Sequence, residues 1–183
     1  MSTEQSETAE TGIGGSTGWV LGGAIGGAIG AIAFGALISA LDPAVVEVAI
    51  PAIYGLDLVG IVGWGIHVAH GIVLGVLFAF LVTREFILGT LRMTVETDAL
   101  SRTSVWIRVV AAGFVFGLAI WAILPVVVLP AWVEALGADP AGEFPVFAVE
   151  SLVGHLVFGT VLGLVFATVF DLTDRLAPPP LEE

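Results

Sequence analysis

Four long apolar stretches decide what this chain can fold into. They occupy residues 18–41, 58–82, 105–129 and 146–170. About 20 apolar residues are enough for an α-helix to cross a bilayer. Backbone groups in lipid must be paired within their own segment, so each stretch is predicted to form a transmembrane helix. The predicted fold class is therefore all-α, an integral membrane four-helix bundle.

The second and fourth stretches carry the same motif. The segment GIHVAHGIVLGVLFAFL at 65–81 returns as GHLVFGTVLGLVFATVF at 154–170, and both read HxxxGxxxGxxxA. A shift of 88 positions (155 − 67) aligns His67 with His155. The first and third stretches match at a shift of 82 (117 − 35), which aligns Gly35 with Gly117. The sequence thus predicts two tandem helical-hairpin repeats.

This repeat also divides the chain into parts. Residues 1–17 form an acidic tail that is predicted to be disordered, because it buries too little apolar surface to offset its ordering entropy. There follow a two-span repeat (18–82), a cytoplasmic loop (83–104), a second two-span repeat (105–170) and a C-terminal tail (171–183). The segment 42–57 is apolar but too short to span and is interrupted by prolines, and the equivalent segment 130–145 carries acidic residues and no basic one. They are predicted to be interfacial or re-entrant, with Tyr54 at headgroup depth.

Arginine placement predicts the topology. The chain has five basic residues, all arginine, of which four lie in or beside the central loop and Arg175 follows the last stretch. The excess of basic residues on cytoplasmic segments puts this loop and both termini in the cytoplasm. Each half then enters and leaves the cell membrane in the same sense. The halves are predicted to be parallel repeats about an axis along the membrane normal.

Glycines recur at four-residue spacing in all four stretches. Residues four apart share one helix face, and small residues there let helix backbones approach closely in lipid. The predicted helix-packing positions are Gly22, Gly26, Gly30, Gly71, Gly75, Gly113, Gly117, Gly159 and Gly163. Contacts of this kind also suit a homo-oligomer or a subunit of a larger membrane complex.

All three histidines lie within apolar stretches, where ionisable side chains by default mark function. In one interpretation, His67 and His155 hydrogen-bond to the first or third helix and hold the bundle together. In a second, they ligate a b-type haem, with the glycines below them making room for the porphyrin. In a third, His67, His70, His155 and Glu150 form a Zn, Cu or Mn site, because imidazole suits these metals.

Two other patterns are weaker. Ser151 and His155 share a helix face, as a hydrolase pair would, but the sequence offers no third orienting group. Glu150 is either a favourable charge at a helix N-terminus or, if it lies in hydrocarbon, a group that binds a proton or a cation. A small transporter or channel is a further alternative, for which several copies would have to assemble.

Charge and composition narrow the function classes. The net charge is −12, which argues against a nucleic-acid partner, and the absence of cysteine excludes disulfides and thiolate metal sites. The acidic, lysine-free composition and the paired HxxxGxxxGxxxA helices resemble a family of small four-span membrane proteins of haloarchaea, some of which carry a histidine-kinase label. The resemblance implies a four-span fold in the lipid bilayer. Kinase activity is not expected, because the chain has no nucleotide-binding domain. The leading hypothesis is a non-enzymatic membrane bundle or complex subunit.

Overall fold

A computed structural model describes residues 17–57, 60–84, 102–137 and 149–170. The predictions made for residues 1–16, for most of the central loop, for the end of the 130–145 segment and for the C-terminal tail fall outside the described residues.

Four of the helices are long enough to cross a bilayer. The helices in chain order are α1 (Gly18–Leu41), α2 (Ile50–Ala52), α3 (Ile61–Val82), α4 (Arg102–Ile123), α5 (Leu129–Leu136) and α6 (Val149–Val169). The candidate spans in α1, α3, α4 and α6 have a mean hydropathy of 2.0 to 2.2. The described part of the chain contains no strand. The prediction of an all-α four-helix membrane bundle is confirmed.

The connections within each half are partly helical. Each long first helix is followed by a π-helical turn, Val45–Ala49 or Leu124–Val128, and then by a short α-helix. The third span therefore ends at Ile123, six residues before the predicted boundary at 129, and part of the predicted 130–145 segment is helix α5. Pro125 lies at the start of the second turn and has no backbone N–H to continue the α-helical bonding.

Within each half, glycines bring the two long helices into close contact. In the first hairpin, a methyl group added at Gly27 would overlap the carbonyl oxygen of Gly71, and one added at Gly23 would meet the carbonyl oxygen of Gly75. In the second, Gly113 faces the Gly159 carbonyl in the same way. Backbone-to-backbone contact of this kind is how helices pack in lipid.

The two hairpins are joined through α1 and α6. Gly22, Gly26 and Gly30 of α1 accommodate large side chains of α6, namely Phe166, Leu162 and Phe158 in that order. Neighbouring ridges of α1 thus serve different partners, one α3 and the other α6. The predicted packing glycines make contacts inside a single chain, so these contacts do not require a second copy.

The contact order also fixes helix direction. As residue numbers increase along α1, the residues that it contacts on α3 and on α6 decrease in number, so α1 is antiparallel to both helices. Helix α4 is antiparallel to α6 in the same way. It follows that α1 and α4 are parallel, so the two halves run in the same sense. The bundle is open between α3 and α4, however, because these two helices make few contacts. One of these contacts joins the rings of Phe78 and Phe116, whose centroids are 5.4 Å apart.

The two ends of the bundle are filled differently. Toward the end that carries Arg84 and Arg108, here called the arginine end, phenylalanines pack into a buried core that includes Phe78 and Phe166. At the opposite end α1 finishes at Leu41 and α3 begins at Ile61. Because α3 and α4 stand apart there, that end, here called the cavity end, encloses a space.

Candidate ligand cavity

A cavity of about 670 Å³ lies at the cavity end, between the two hairpins. It is bordered by the C-terminal part of α1, the first half of α3, the start of α6 and both short connecting segments. Most of its lining is apolar. The polar and ionisable lining residues are Asp42, Tyr54, His67, His70, Trp132, Glu150, Ser151 and His155. All three histidines singled out in the sequence therefore line one space.

His67 bonds across the first hairpin. It is 9% exposed, and its Nε2 donates to the carbonyl oxygen of Ala31 on α1 at 2.9 Å. Nε2 therefore carries the proton of the neutral ring, and Nδ1 keeps its lone pair. Ala31 lies on the same α1 ridge as Gly27, so the glycine packing sets the distance for this bond.

His155 makes a different bond at the matching position of the second hairpin. Its Nδ1 donates to the backbone carbonyl of Ser151, one turn earlier on the same helix, at 2.8 Å. Nε2 of the neutral ring is then the acceptor nitrogen. His155 is bonded to the main chain of Ser151 and not to its hydroxyl, so the geometry does not assemble the hydrolase pair.

His70 and Tyr54 form a second polar pair. The Tyr54 hydroxyl and His70 Nε2 share a hydrogen bond, and the rings stack at 5.6 Å between centroids. Burial raises the pKa of Tyr54 above its ordinary value, so the phenol stays protonated and can donate. By helical rise His70 lies about 13 Å along α3 from its start. The 42–57 segment thus folds back along α3 and brings Tyr54 beside His70.

The arrangement does not fit a haem between His67 and His155. The Phe34 ring contacts both imidazoles, with centroids 5.3 Å from His67 and 4.7 Å from His155. Bis-histidine ligation would need both rings to aim a nitrogen at one iron, yet His67 Nε2 is committed to Ala31. Gly71 and Gly159, expected to make room for the porphyrin, are covered by α1 and α4.

A metal site is likewise not assembled. Among the described residues, no group of three His, Asp or Glu side chains is placed to hold a metal ion. His67, His70, His155 and Glu150 share the cavity wall, but each of the three imidazoles already bonds a protein group. The metal interpretation stays a prediction from the sequence.

Two aromatic rings bridge the connecting segments beside the cavity. Tyr54 follows the first π-helical turn and Trp132 the second, and their rings meet edge to face at 5.3 Å between centroids. Residues of both turns line the cavity, among them Val46 and Val128. π-Helical turns are frequent at functional sites. The two repeats therefore close the space with corresponding segments.

One side of the cavity reaches the surface of the bundle. Val73 of α3 and Val128 beside α4 both line the cavity, yet they are 67% and 42% exposed, respectively. They flank the gap between α3 and α4, where these helices make few contacts. In a bilayer this gap would face lipid.

The sequence had not identified every lining residue that matters. Phe34 and Trp132 were not among the residues that the sequence singled out. Each of these two residues lies within about two turns of a helix end, where an aromatic ring can reach a neighbouring segment, and this position was the signal that the sequence offered.

Comparison of the chain with protein-family models, with curated proteins and with solved structures finds no match in any of the three.

Proposed function

We propose that this multi-pass membrane protein is a non-enzymatic binding protein for a small, largely apolar molecule that enters from the bilayer. The observation that carries the proposal is the cavity of about 670 Å³ at one end of the bundle. Ligand pockets of roughly 300–1,000 Å³, mostly apolar with a few polar groups, typically hold drug-sized molecules. The cavity has this size and this lining.

Lateral entry follows from the helix arrangement. The glycine contacts bring α1 against α3 and α6, and α6 against α4, but leave α3 and α4 apart. In lipid there is no hydrophobic drive to close such a gap. A molecule dissolved in the bilayer would therefore reach His70 between Val73 and Val128 without crossing the aqueous phase.

The packing favours binding over conduction through a single copy. A transport path would have to continue from the cavity to the arginine end. There Phe78, Phe158 and Phe166 are buried side chains of one apolar cluster. The buried side chains described in this half are apolar, so they offer no polar path to water or ions. We propose that the arginine end faces the cytoplasm and the cavity end the outside, in line with the positions of the arginines.

The experiment uses the full chain reconstituted in lipid nanodiscs and the neutral apolar fluorophore N-phenyl-1-naphthylamine. Binding is followed as energy transfer from the tryptophans. We expect a saturable signal that is lost in Val73→Phe, which narrows the gap, and kept in Val115→Phe, whose position is similarly exposed (61%) on α4 but does not line the cavity. A signal that rises without saturation, or that is equal in both variants, would show partition into lipid and refute the proposal.

A further inference from the structure

The charged groups around the cavity have one sign. Of the described residues that line it, Asp42 and Glu150 are acidic and none is arginine or lysine. Glu47, Asp57 and Glu134 also belong to the connecting segments of this end, whereas Arg84 and Arg108 lie toward the other end. Carboxylates clustered beside low-dielectric walls create a negative potential that concentrates cations.

The hydrogen-bonding groups also favour a positive ligand. His155 donates its Nδ1 proton to the Ser151 carbonyl, and His67 donates its Nε2 proton to the Ala31 carbonyl. The second nitrogen of each neutral ring therefore has only a lone pair and can only accept a hydrogen bond. The Tyr54 hydroxyl is already paired with His70. The free ring nitrogens of His67 and His155 thus add acceptors to the carboxylates of Asp42 and Glu150 in the cavity lining. A ligand with only acceptor oxygens would leave these groups unpaired, at a cost in binding.

Aromatic rings line the same space. Phe34, Tyr54 and Trp132 all contribute to the wall, and the last two are in contact with each other. The face of an aromatic ring attracts a cation through its quadrupole, most strongly for tryptophan, and aromatic cages are a common way to hold quaternary ammonium groups. Such rings accept both the charge and the apolar body of a hydrophobic cation.

From these three observations we propose that the cavity selects hydrophobic organic cations, with Glu150 as the principal charge partner and Trp132 and Tyr54 as the aromatic wall. This inference rests on the proposed function, since it names the ligand class for the same cavity. Glu150 is the better-placed carboxylate, because Asp42 already accepts the backbone N–H of Ala44 at 3.0 Å. It lies in the first turn of α6 and lines the cavity together with Ser151 and His155 of the same helix.

The test compares two probes of nearly equal size and opposite charge, tetraphenylphosphonium and tetraphenylborate. Binding to the full chain in nanodiscs of zwitterionic lipid is measured by equilibrium dialysis. We expect saturable binding of the cation and at least tenfold weaker binding of the anion. Glu150→Gln should weaken cation binding about tenfold, because a single charge contact in a partly screened site is worth this much or more. Asp57→Asn, an exposed carboxylate of the same end that does not line the cavity, should leave it unchanged.

Each result has a distinct meaning. Equal binding of both ions, or equal weakening by Glu150→Gln and Asp57→Asn, would overturn the cation site while saturable N-phenyl-1-naphthylamine binding still supported the cavity as a binding site. If binding of none of the three probes were saturable, the proposed function itself would be refuted. If Glu150→Gln does not fold, Trp132→Leu provides the second variant, and it should weaken the cation at least threefold while leaving the neutral fluorophore bound.

Discussion

His67 and Ala31 connect the two helices of the first hairpin, with Nε2 of the histidine 2.9 Å from the carbonyl oxygen of the alanine. The equivalent histidine of the second hairpin, His155, bonds within its own helix instead. Matched residues in a repeated sequence thus make one interhelical bond and one intrahelical bond. Only the first contributes directly to holding two helices together.

This difference predicts unequal effects of removing the two imidazoles. His67→Ala should lower the free energy of unfolding by about 1 kcal/mol more than His155→Ala, which is the typical value of one interhelical hydrogen bond. Loss of ring volume should be similar, because both rings pack against Phe34. Unfolding in mixed detergent, followed by helical circular dichroism, measures the difference. Equal losses for the two variants would contradict the assignment.

A pair of glycines in α3 tests the close packing of the first hairpin. A methyl group at Gly71 would overlap the Ala31 side chain and the Gly27 backbone, whereas one at Gly65 meets nothing within 4 Å. Gly71→Ala should therefore destabilise the bundle by about 1–3 kcal/mol, as overpacking usually does. Gly65→Ala should be neutral or stabilising by up to about 1 kcal/mol, because alanine favours helix. The same unfolding assay decides, and comparable destabilisation by both changes would refute the packing.

The helices and their small-residue faces were predictable from the sequence, but their register was not. The weak match between first and third stretches aligned Gly35 with Gly117, a shift of 82. In the structure Gly71 sits between Gly27 and Ala31, and Gly159 between Gly113 and Gly117. Gly117 therefore corresponds to Ala31, a shift of 86 (117 − 31). Small residues every four positions offer equivalent contacts one turn apart, so the pattern alone cannot select among them.

The cavity could not be predicted for a related reason. Helices that are apolar on all sides give no periodic signal for which face is buried and which meets lipid. Val73 at 67% exposed and the buried Phe78 lie on one helix with the same chemical character. The histidines at one level were predictable from the repeat. Phe34 between them, and Tyr54 folded back onto His70, depend on tertiary contacts that the sequence does not encode locally.

The proposed orientation can be tested with single cysteines, because the chain contains none of its own. Asp57→Cys lies in an exposed position of the cavity end, while Glu183→Cys marks the C-terminus. A maleimide that cannot cross the membrane should label Asp57→Cys in intact cells and Glu183→Cys only after permeabilisation, as expected when the arginine end is cytoplasmic. The reverse pattern would place the cavity on the cytoplasmic side.

Tyr54 is the single tyrosine of the chain, so its ionisation can be followed alone by tyrosinate absorbance. Burial raises its pKa above the ordinary phenol value of 10.0. In the unfolded chain the phenol ionises near that value, so its contribution to stability is complete below pH 10.0 and is lost as pH rises through the folded pKa. Trp132→Ala removes the ring that covers Tyr54 and should move the midpoint back toward 10.0, while Trp106→Ala, far from the cavity, should not. If the folded protein titrated at 10.0, or ignored the loss of Trp132, then Tyr54 would be open to water and the two connecting segments would not close the cavity.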